Sequence, residues 1–273
     1  MNTNSNTYTV IYSIILVVVV AAVLAFAAMF LKPTQEDNVK MDTISQILTA
    51  AGITYAEDAN ILEIYKDNIS KAILVNTDGD VLDDTLITSD IKKLQVYSNS
   101  ELKAQKVAIE KKEADPTDTT KVSLPVYIFK NGISVVPCYG AGLWGPIWGY
   151  IGVNDDLTIV KAYFGHKGET PGLGAKITDE PENFADLFSG KKITEEIKVG
   201  KGVNPERKAE INAVDAISGA TITSNAAGVM VNQWLKFYEP YFAKLNKCTC
   251  CEHECESPEQ KEEIVEQPKT EEN

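Results

Sequence analysis

Arginine is almost absent from this 273-residue chain, in which Arg207 is the sole example. Proteins that bind nucleic acids usually present clustered arginine and lysine side chains, whereas this chain carries a net charge of −13. Residues 252–273 hold nine glutamates and two lysines, so this short stretch contributes −7 of that charge. The composition therefore argues against a nucleic-acid partner.

Histidine is also scarce, with only His166 and His253. Two histidines provide few ligands for a histidine-rich metal site and few candidates for a Ser-His-Asp triad. The chain also lacks the Gly-x-Ser-x-Gly and Gly-x-x-x-x-Gly-Lys-Ser/Thr patterns of hydrolases and nucleotide-triphosphate enzymes. Hydrolysis and nucleoside-triphosphate chemistry are therefore weakly supported, and we expect His166 to be an ordinary surface histidine.

Charge is missing altogether from residues 10–31, which also lack proline and glycine. At 1.5 Å per residue, a helix of this length covers the ~30 Å hydrocarbon core of a bilayer. A cleaved signal peptide is the alternative, but residues 1–9 contain no lysine or arginine and the apolar run is too long for a signal core. We predict a retained transmembrane anchor over 10–31 after a short segment at 1–9. The positive-inside rule does not orient it.

Residues 32–247 carry the mixed signals of a single α+β domain. Apolar residues at 44, 47, 48 and 51 predict a short amphipathic helix with Asp42 and Thr43 as candidate caps. Three stretches read as β-hairpins with polar turns: 72–82 around Asp78-Gly79, 125–139 around Asn131-Gly132, and 149–164 around Asn154-Asp155-Asp156. Residues 98–121 are expected to form an exposed helix and loop.

The last core element is predicted to be an amphipathic helix over 226–242, capped by Ser224 or Asn225. Residues 248–273 follow as a cysteine cluster and an acidic tail. The tail has too few apolar residues to offset the entropy of ordering, so disorder and dispensability are expected.

The cysteines fall into two groups. Cys138 stands alone after a predicted strand and is expected to be a small buried residue. Four others cluster near the C-terminus, where their spacing matches no zinc motif: Cys248, Cys250, Cys251 and Cys255. Disulfides and a metal both remain open for this cluster, and an oxidising compartment would favour disulfides.

The most informative stretch is Asp215 to Thr221, which reads DAISGAT. A loop of small and hydroxyl residues before a helix is most simply a helix cap. The same arrangement can hold a phosphate, because free N–H groups and the helix dipole point towards it. A hydroxyl in the loop could also serve as an attachment point.

Asp215 to Thr221 resembles the Asp-x-x-Ser/Thr-Gly-Ala-Thr flavinylation motif of bacterial membrane flavoproteins, in which FMN is joined through its phosphate to the final threonine. Over residues ~8–245 the layout is similar to the C-subunit family of the Na+-translocating NADH:quinone oxidoreductases. The stretches Gly140 to Gly145 and His166 to Ala175 support this resemblance. The related alternative is the G-subunit of the complex that couples ferredoxin and NAD.

The resemblance implies roles for individual residues. Thr221 would carry the FMN phosphoryl group, which makes the chain a phosphoprotein, and Thr223 is a competing hydroxyl. Ser218 would hydrogen-bond the phosphate, while Gly219 and Ala220 leave room for a flavin transferase. Core packing is the alternative for Trp144 and Trp148, and a tight turn is the alternative for 172–174. The implied flavin contacts are Gly142, Leu143, Trp144, Glu169, Thr170, Gly172, Leu173 and Gly174.

The resemblance also implies the setting. The chain would be an electron-transfer subunit that relays electrons from NADH toward quinone through one covalent FMN, with no catalytic side chain and no metal. Its soluble domain would face the periplasm from the bacterial inner membrane. The B, D and E subunits, the bilayer and the flavin transferase would be its partners. A membrane-anchored binding domain without redox chemistry is the alternative from another class.

Overall fold

The structure is a computed structural model that describes residues 6–56, 58–84, 94, 96–115, 117–178 and 184–254. It begins with one 45-residue helix, α1 (Asn6–Ala50), which is long and apolar enough to cross a membrane and whose apolar window is not buried by the rest of the chain. The predicted boundary between the anchor and the soluble domain, after residue 31, therefore lies inside a continuous helix. This arrangement provides the predicted membrane anchor.

The separate helix cap expected near residue 42 is wrong, because α1 continues through Pro33 to Ala50 without a break. The side chains of the two candidate caps bond within this helix instead. Asp42 accepts a 2.8 Å hydrogen bond from Nε2 of Gln46, and the hydroxyl of Thr43 donates to the carbonyl of Val39 at 2.9 Å.

The rest of the described chain is α+β, as predicted. The helices are α2 (Ile61–Asn68), α3 (Asn99–Ala114) and α4 (Thr221–Glu254), with 3-10 turns at Gly174–Ile177 and Phe184–Phe188. The strands, in chain order, are β1 (Ile69–Val75), β2 (Val81–Asp83), β3 (Leu124–Phe129), β4 (Ser134–Ala141), β5 (Pro146–Val153), β6 (Ile159–His166), β7 (Lys198–Gly200) and β8 (Ala213–Asp215).

Six strands form one antiparallel sheet in the order β2-β1-β3-β4-β5-β6. The three predicted hairpins are confirmed as the pairs β1/β2, β3/β4 and β5/β6, with the register Tyr127 opposite Val135 and Tyr150 opposite Tyr163. The sequence did not predict the pairing of β1 with β3 or the hairpin between β4 and β5. A separate parallel pair, β7 and β8, leads into the DAISGAT stretch.

Two hydrophobic cores lie on opposite faces of the sheet, because successive side chains of a strand point to opposite sides. Val126, Val136 and Ile151 belong to the core that includes α3 and α4. Tyr127 and Tyr150 belong to the other core, which includes α2 and the end of α1. The anchor helix is thus packed directly onto the sheet that carries the candidate site.

The helices predicted at 98–121 and 226–242 differ in detail from expectation. Helix α3 is confirmed, with Ser98 and Glu101 as a capping box, although it buries Leu102 and Ile109 and is not wholly exposed. Helix α4 begins at Thr221 instead of residue 226. The caps proposed at 224 and 225 are therefore wrong, and the acidic tail from residue 255 onward lies outside the described residues.

Candidate cofactor site

The fold brings three distant stretches of the chain together. They are the turn between β4 and β5 at 142–145, the loop after β6 at 166–174, and the stretch 215–223 that enters α4. Glu169 joins them, since it accepts hydrogen bonds from the Trp144 amide at 2.9 Å and from the Thr223 hydroxyl at 2.7 Å. The residues implicated by the motifs therefore form one cluster.

Two glycines make room for the Glu169 carboxylate, which is only 4% exposed. A Cβ atom on Gly142 would lie 2.5 Å from Oε1 of Glu169, and one on Gly174 would lie 2.4 Å from Oε2. Neither position tolerates a side chain while the carboxylate stays where it is. The close approach of the Glu169 oxygens to the backbone explains why both positions are glycine.

The stretch before α4 is fixed by Ser224. Its hydroxyl donates to the Ala220 carbonyl at 2.9 Å and accepts the Ile217 amide at 3.0 Å. The Ala220 carbonyl also accepts the Ser224 amide at 2.9 Å, so Thr221 is the first helical residue. Amides in the first turn of a helix have no preceding helical carbonyl, and this turn carries no acidic residue, so it is suited to an anion.

The hydroxyls near this helix start differ in accessibility. Thr221 and Ser218 are exposed. Thr223 is 1% exposed and Ser224 is fully buried, and both hydroxyls already have protein partners. Of the two competing threonines, only Thr221 is exposed to solvent.

Exposed apolar side chains lie on the same three stretches. Trp144 is 69% exposed, so core packing is the wrong interpretation for it. Leu143, Leu173 and Ile222 are also exposed, and Leu173 lies beside Gly219, where a Cβ atom would be 3.0 Å from its Cδ2 atom. Ile222 was missed by the sequence analysis, since only the start of α4 at Thr221 places it on this surface.

The stretch 170–174 is the tight turn that was the alternative to a flavin contact. The Leu173 amide donates to the Thr170 carbonyl at 3.1 Å, and Gly172 has a φ of +73°. Thr170 and Gly172 are exposed while Gly174 is buried. The tight turn is compatible with an apolar contact to a flavin, because it leaves the Leu173 side chain exposed.

These residues fit an FMN molecule. An exposed threonine at a helix N-terminus suits its phosphate, and the exposed indole and leucine side chains of the adjoining stretches suit an aromatic ring. In the part of the chain that the structure describes, no cluster of three or more His, Cys, Asp or Glu side chains is placed to hold a metal ion.

Comparison with known proteins decides the family. Residues 142–236 match the family model described as the FMN-binding domain. The C-subunit of the Na(+)-translocating NADH-quinone reductase of Pasteurella multocida is 31% identical over 254 residues, which are 87% of this chain and 93% of that protein. The C-subunit of Haemophilus ducreyi is 29% identical over 254 residues, or 88% and 93% of the two chains.

A solved structure agrees with these relatives. The crystal structure of the C-subunit from Parabacteroides distasonis is 32% identical, has a TM-score of 0.58, and covers 78% of this chain and 96% of that one. The chain belongs to the C-subunit family of Na(+)-translocating NADH-quinone reductases. It is an electron-transfer subunit with an FMN-binding domain, anchored to the membrane by α1, and it works beside other subunits. These matches favour the C-subunit over the alternatives of the G-subunit and a non-redox binding domain.

In this C-subunit, two polar residues near the site have contacts that the sequence did not reveal. Asp215 accepts the Asn204 amide at 2.9 Å and so braces the loop after β7. His166 is half-buried, and its Nδ1 accepts the Glu169 amide at 3.3 Å. The expectation of an ordinary surface histidine is therefore wrong, because the chain turns back onto the ring three residues later.

The glycines from Gly140 to Gly145 match the letters of the Gly-x-Gly-x-x-Gly pattern of dinucleotide-binding loops. That pattern acts at a turn from a strand into a helix. Here the residues join the antiparallel strands β4 and β5. The pattern in this protein therefore has no helix N-terminus for a pyrophosphate.

Proposed function

We propose that this protein carries FMN covalently, through a phosphoester bond to Thr221, and relays electrons from NADH toward quinone in a Na+-translocating complex. One observation carries the attachment site. Thr221 is exposed at the start of α4, whereas Thr223 is buried and its hydroxyl is bonded to Glu169.

The surroundings of Thr221 support a phosphate at this position. The amides in the first turn of α4 and the helix dipole favour a negative group. Ser218, which is exposed, is placed in the same loop to hydrogen-bond a phosphate oxygen. Gly219, with a φ of +80°, and the small side chain of Ala220 leave the backbone open to a flavin transferase.

The exposed apolar surface supports the flavin ring. We assign ring contacts to Trp144, Leu143 and Leu173, with Ile222 added on structural grounds. The backbone of Gly142, Thr170, Gly172 and Gly174 lines the same turns. Bound FMN supplies the electron-transfer chemistry, while the protein holds it, orients it and shields it from water.

The position of this protein in the complex is a further part of the proposal. We assign the soluble domain to the periplasmic side and its contacts to the B, D and E subunits. A covalent bond prevents loss of the cofactor where it cannot be replaced. Residues 10–31 contain no charged side chain, so we assign the sodium path to other subunits.

Absorbance of the denatured protein tests covalent attachment. The full chain is co-expressed with a flavin transferase, purified, unfolded and separated from small molecules. The flavin band should remain with the wild-type polypeptide, and it should be missing from Thr221→Ala, which lacks the attachment hydroxyl. A band that leaves the unfolded wild-type chain would contradict covalent attachment while leaving non-covalent FMN binding possible.

A further inference from the structure

Glu169 is a charged side chain enclosed at the centre of the candidate site. It is 4% exposed, and both carboxylate oxygens act as acceptors, Oε1 for the Trp144 amide and Oε2 for the Thr223 hydroxyl. Both carboxylate oxygens are thus engaged by the two stretches that carry Trp144 and Thr221. Among the described residues, no lysine, arginine or histidine nitrogen lies within 4.0 Å of either carboxylate oxygen.

The enclosure leaves the Glu169 carboxylate little room to move. The hypothetical Cβ positions on Gly142 and Gly174 fall within 2.5 Å of its two oxygens, and that on Gly174 is also 2.8 Å from the Thr223 hydroxyl. Burying an uncompensated charge is costly. Here the compensation comes from two hydrogen bonds and from the first turn of α4, whose N-terminal dipole favours an anion.

The partners of this carboxylate connect it to the proposed FMN contacts. One partner is the amide of Trp144, whose ring is 69% exposed. The other is Thr223, two residues after the exposed Thr221 in the same helical turn. Displacing the carboxylate would therefore disturb both the indole and the attachment point.

We propose that Glu169 is a positioning residue that fixes the Trp144 turn against the first turn of α4 and also lowers the midpoint potential of FMN. The effect on potential depends on the proposed function, whereas the effect on position does not. Reduction adds negative charge to the flavin, and a nearby buried carboxylate opposes this more strongly than the same charge in water would.

The midpoint potential of the flavinylated full chain tests the electrostatic effect. Glu169→Gln keeps the shape of the side chain and removes its charge, so the potential should shift to a more positive value. Thr223→Ser keeps the hydroxyl and should retain the wild-type potential. Thr223→Val keeps the charge and should shift the potential less than Glu169→Gln does. An unchanged potential in Glu169→Gln would overturn the electrostatic role.

Hydrogen exchange of the Trp144 amide tests the positioning role without any flavin, in chain produced without the transferase. Glu169→Ala removes the acceptor, so exchange at this amide should accelerate by about tenfold or more, the effect of losing a hydrogen bond to a charged group. Exchange at Val231 in the middle of α4 should stay slow. If Glu169→Ala does not fold, Gly174→Ala displaces the carboxylate and should give the same acceleration.

Unchanged protection of the Trp144 amide in either folded variant would overturn the positioning role. This result would stand whether or not Thr221 is flavinylated, since the sample contains no flavin. Conversely, a wild-type chain that proves unable to hold FMN covalently would contradict the proposed function and leave the exchange result valid.

Discussion

The Thr223 hydroxyl donates a 2.7 Å hydrogen bond to Oε2 of Glu169, 54 residues earlier in the chain. This bond occupies the hydroxyl that competes with Thr221 for attachment. It also joins the first turn of α4 to the loop after β6. Because the same carboxylate accepts the Trp144 amide, the three motif stretches depend on one another for their positions.

Gly174→Ala should destabilise the domain. The added Cβ would lie 2.4 Å from Oε2 of Glu169 and 2.8 Å from the Thr223 hydroxyl. Overpacking of this kind typically costs about 1–3 kcal/mol of unfolding free energy. Chemical denaturation of the chain without flavin measures the loss. Gly168→Ala is the matched control, because its Cβ would meet nothing closer than the Trp144 carbonyl oxygen at 3.6 Å. Equal stability of the two variants would contradict the packing described here.

Cys138 should resist alkylation in the folded protein. It is buried on β4, and burial raises the pKa of its thiol well above the ordinary value. The thiolate is the reactive form, so both access and ionisation oppose the reaction. Peptide mapping after iodoacetamide treatment should find Cys138 unmodified in the native chain and modified after unfolding. Rapid labelling of the native chain would show that β4 opens readily.

The contact between Asp80 and Lys244 should make stability depend on pH. The hydrogen bond from Lys244, together with that from Asn76, holds the pKa of the Asp80 carboxyl below its ordinary value of 3.8. A lowered folded-state pKa gives stability that is present above the unfolded pKa and lost as the pH falls through the folded value. Wild type should therefore melt above Asp80→Asn at pH 7, and the difference should shrink below about pH 4. A difference that grows in acid would contradict this account.

The soluble domain should lie outside the cytoplasm. A reporter that is active only there, fused after Asn273, should be active in cells that contain the full-length chain. A cytoplasmic reporter fused at the same position should be inactive and serves as the control. The opposite pattern from stable fusions would overturn the periplasmic assignment and remove the reason to favour disulfides among the C-terminal cysteines.

The hairpins could be predicted from sequence because their turns are local. Asn131-Gly132 and Asp78-Gly79 sit between apolar stretches, and the bonds that close these turns span only a few residues. The pairing of β1 with β3 could not be predicted, since some fifty residues separate Val75 from Leu124. No local sequence pattern indicates which distant strand a given strand will pair with.

The start of α4 was mispredicted for a physical reason. Several residues there can cap a helix, and Ser224 was a reasonable choice by type. Ser224 instead lies inside the helix, and its hydroxyl donates back to the carbonyl of Ala220. The motif identified Thr221 and the neighbouring stretches, but the bridging role of Glu169 depends on contacts across 25 and 54 residues. Local sequence patterns do not encode such contacts.

Intact mass of the purified chain tests the attachment site most directly. Co-expressed with a flavin transferase, the wild-type chain and Thr223→Val should each gain the mass of one FMN less one water. Thr221→Ala should gain nothing, although it should fold, since its side chain is exposed. Full mass gain in Thr221→Ala together with loss in Thr223→Val would contradict the account and place the flavin on Thr223.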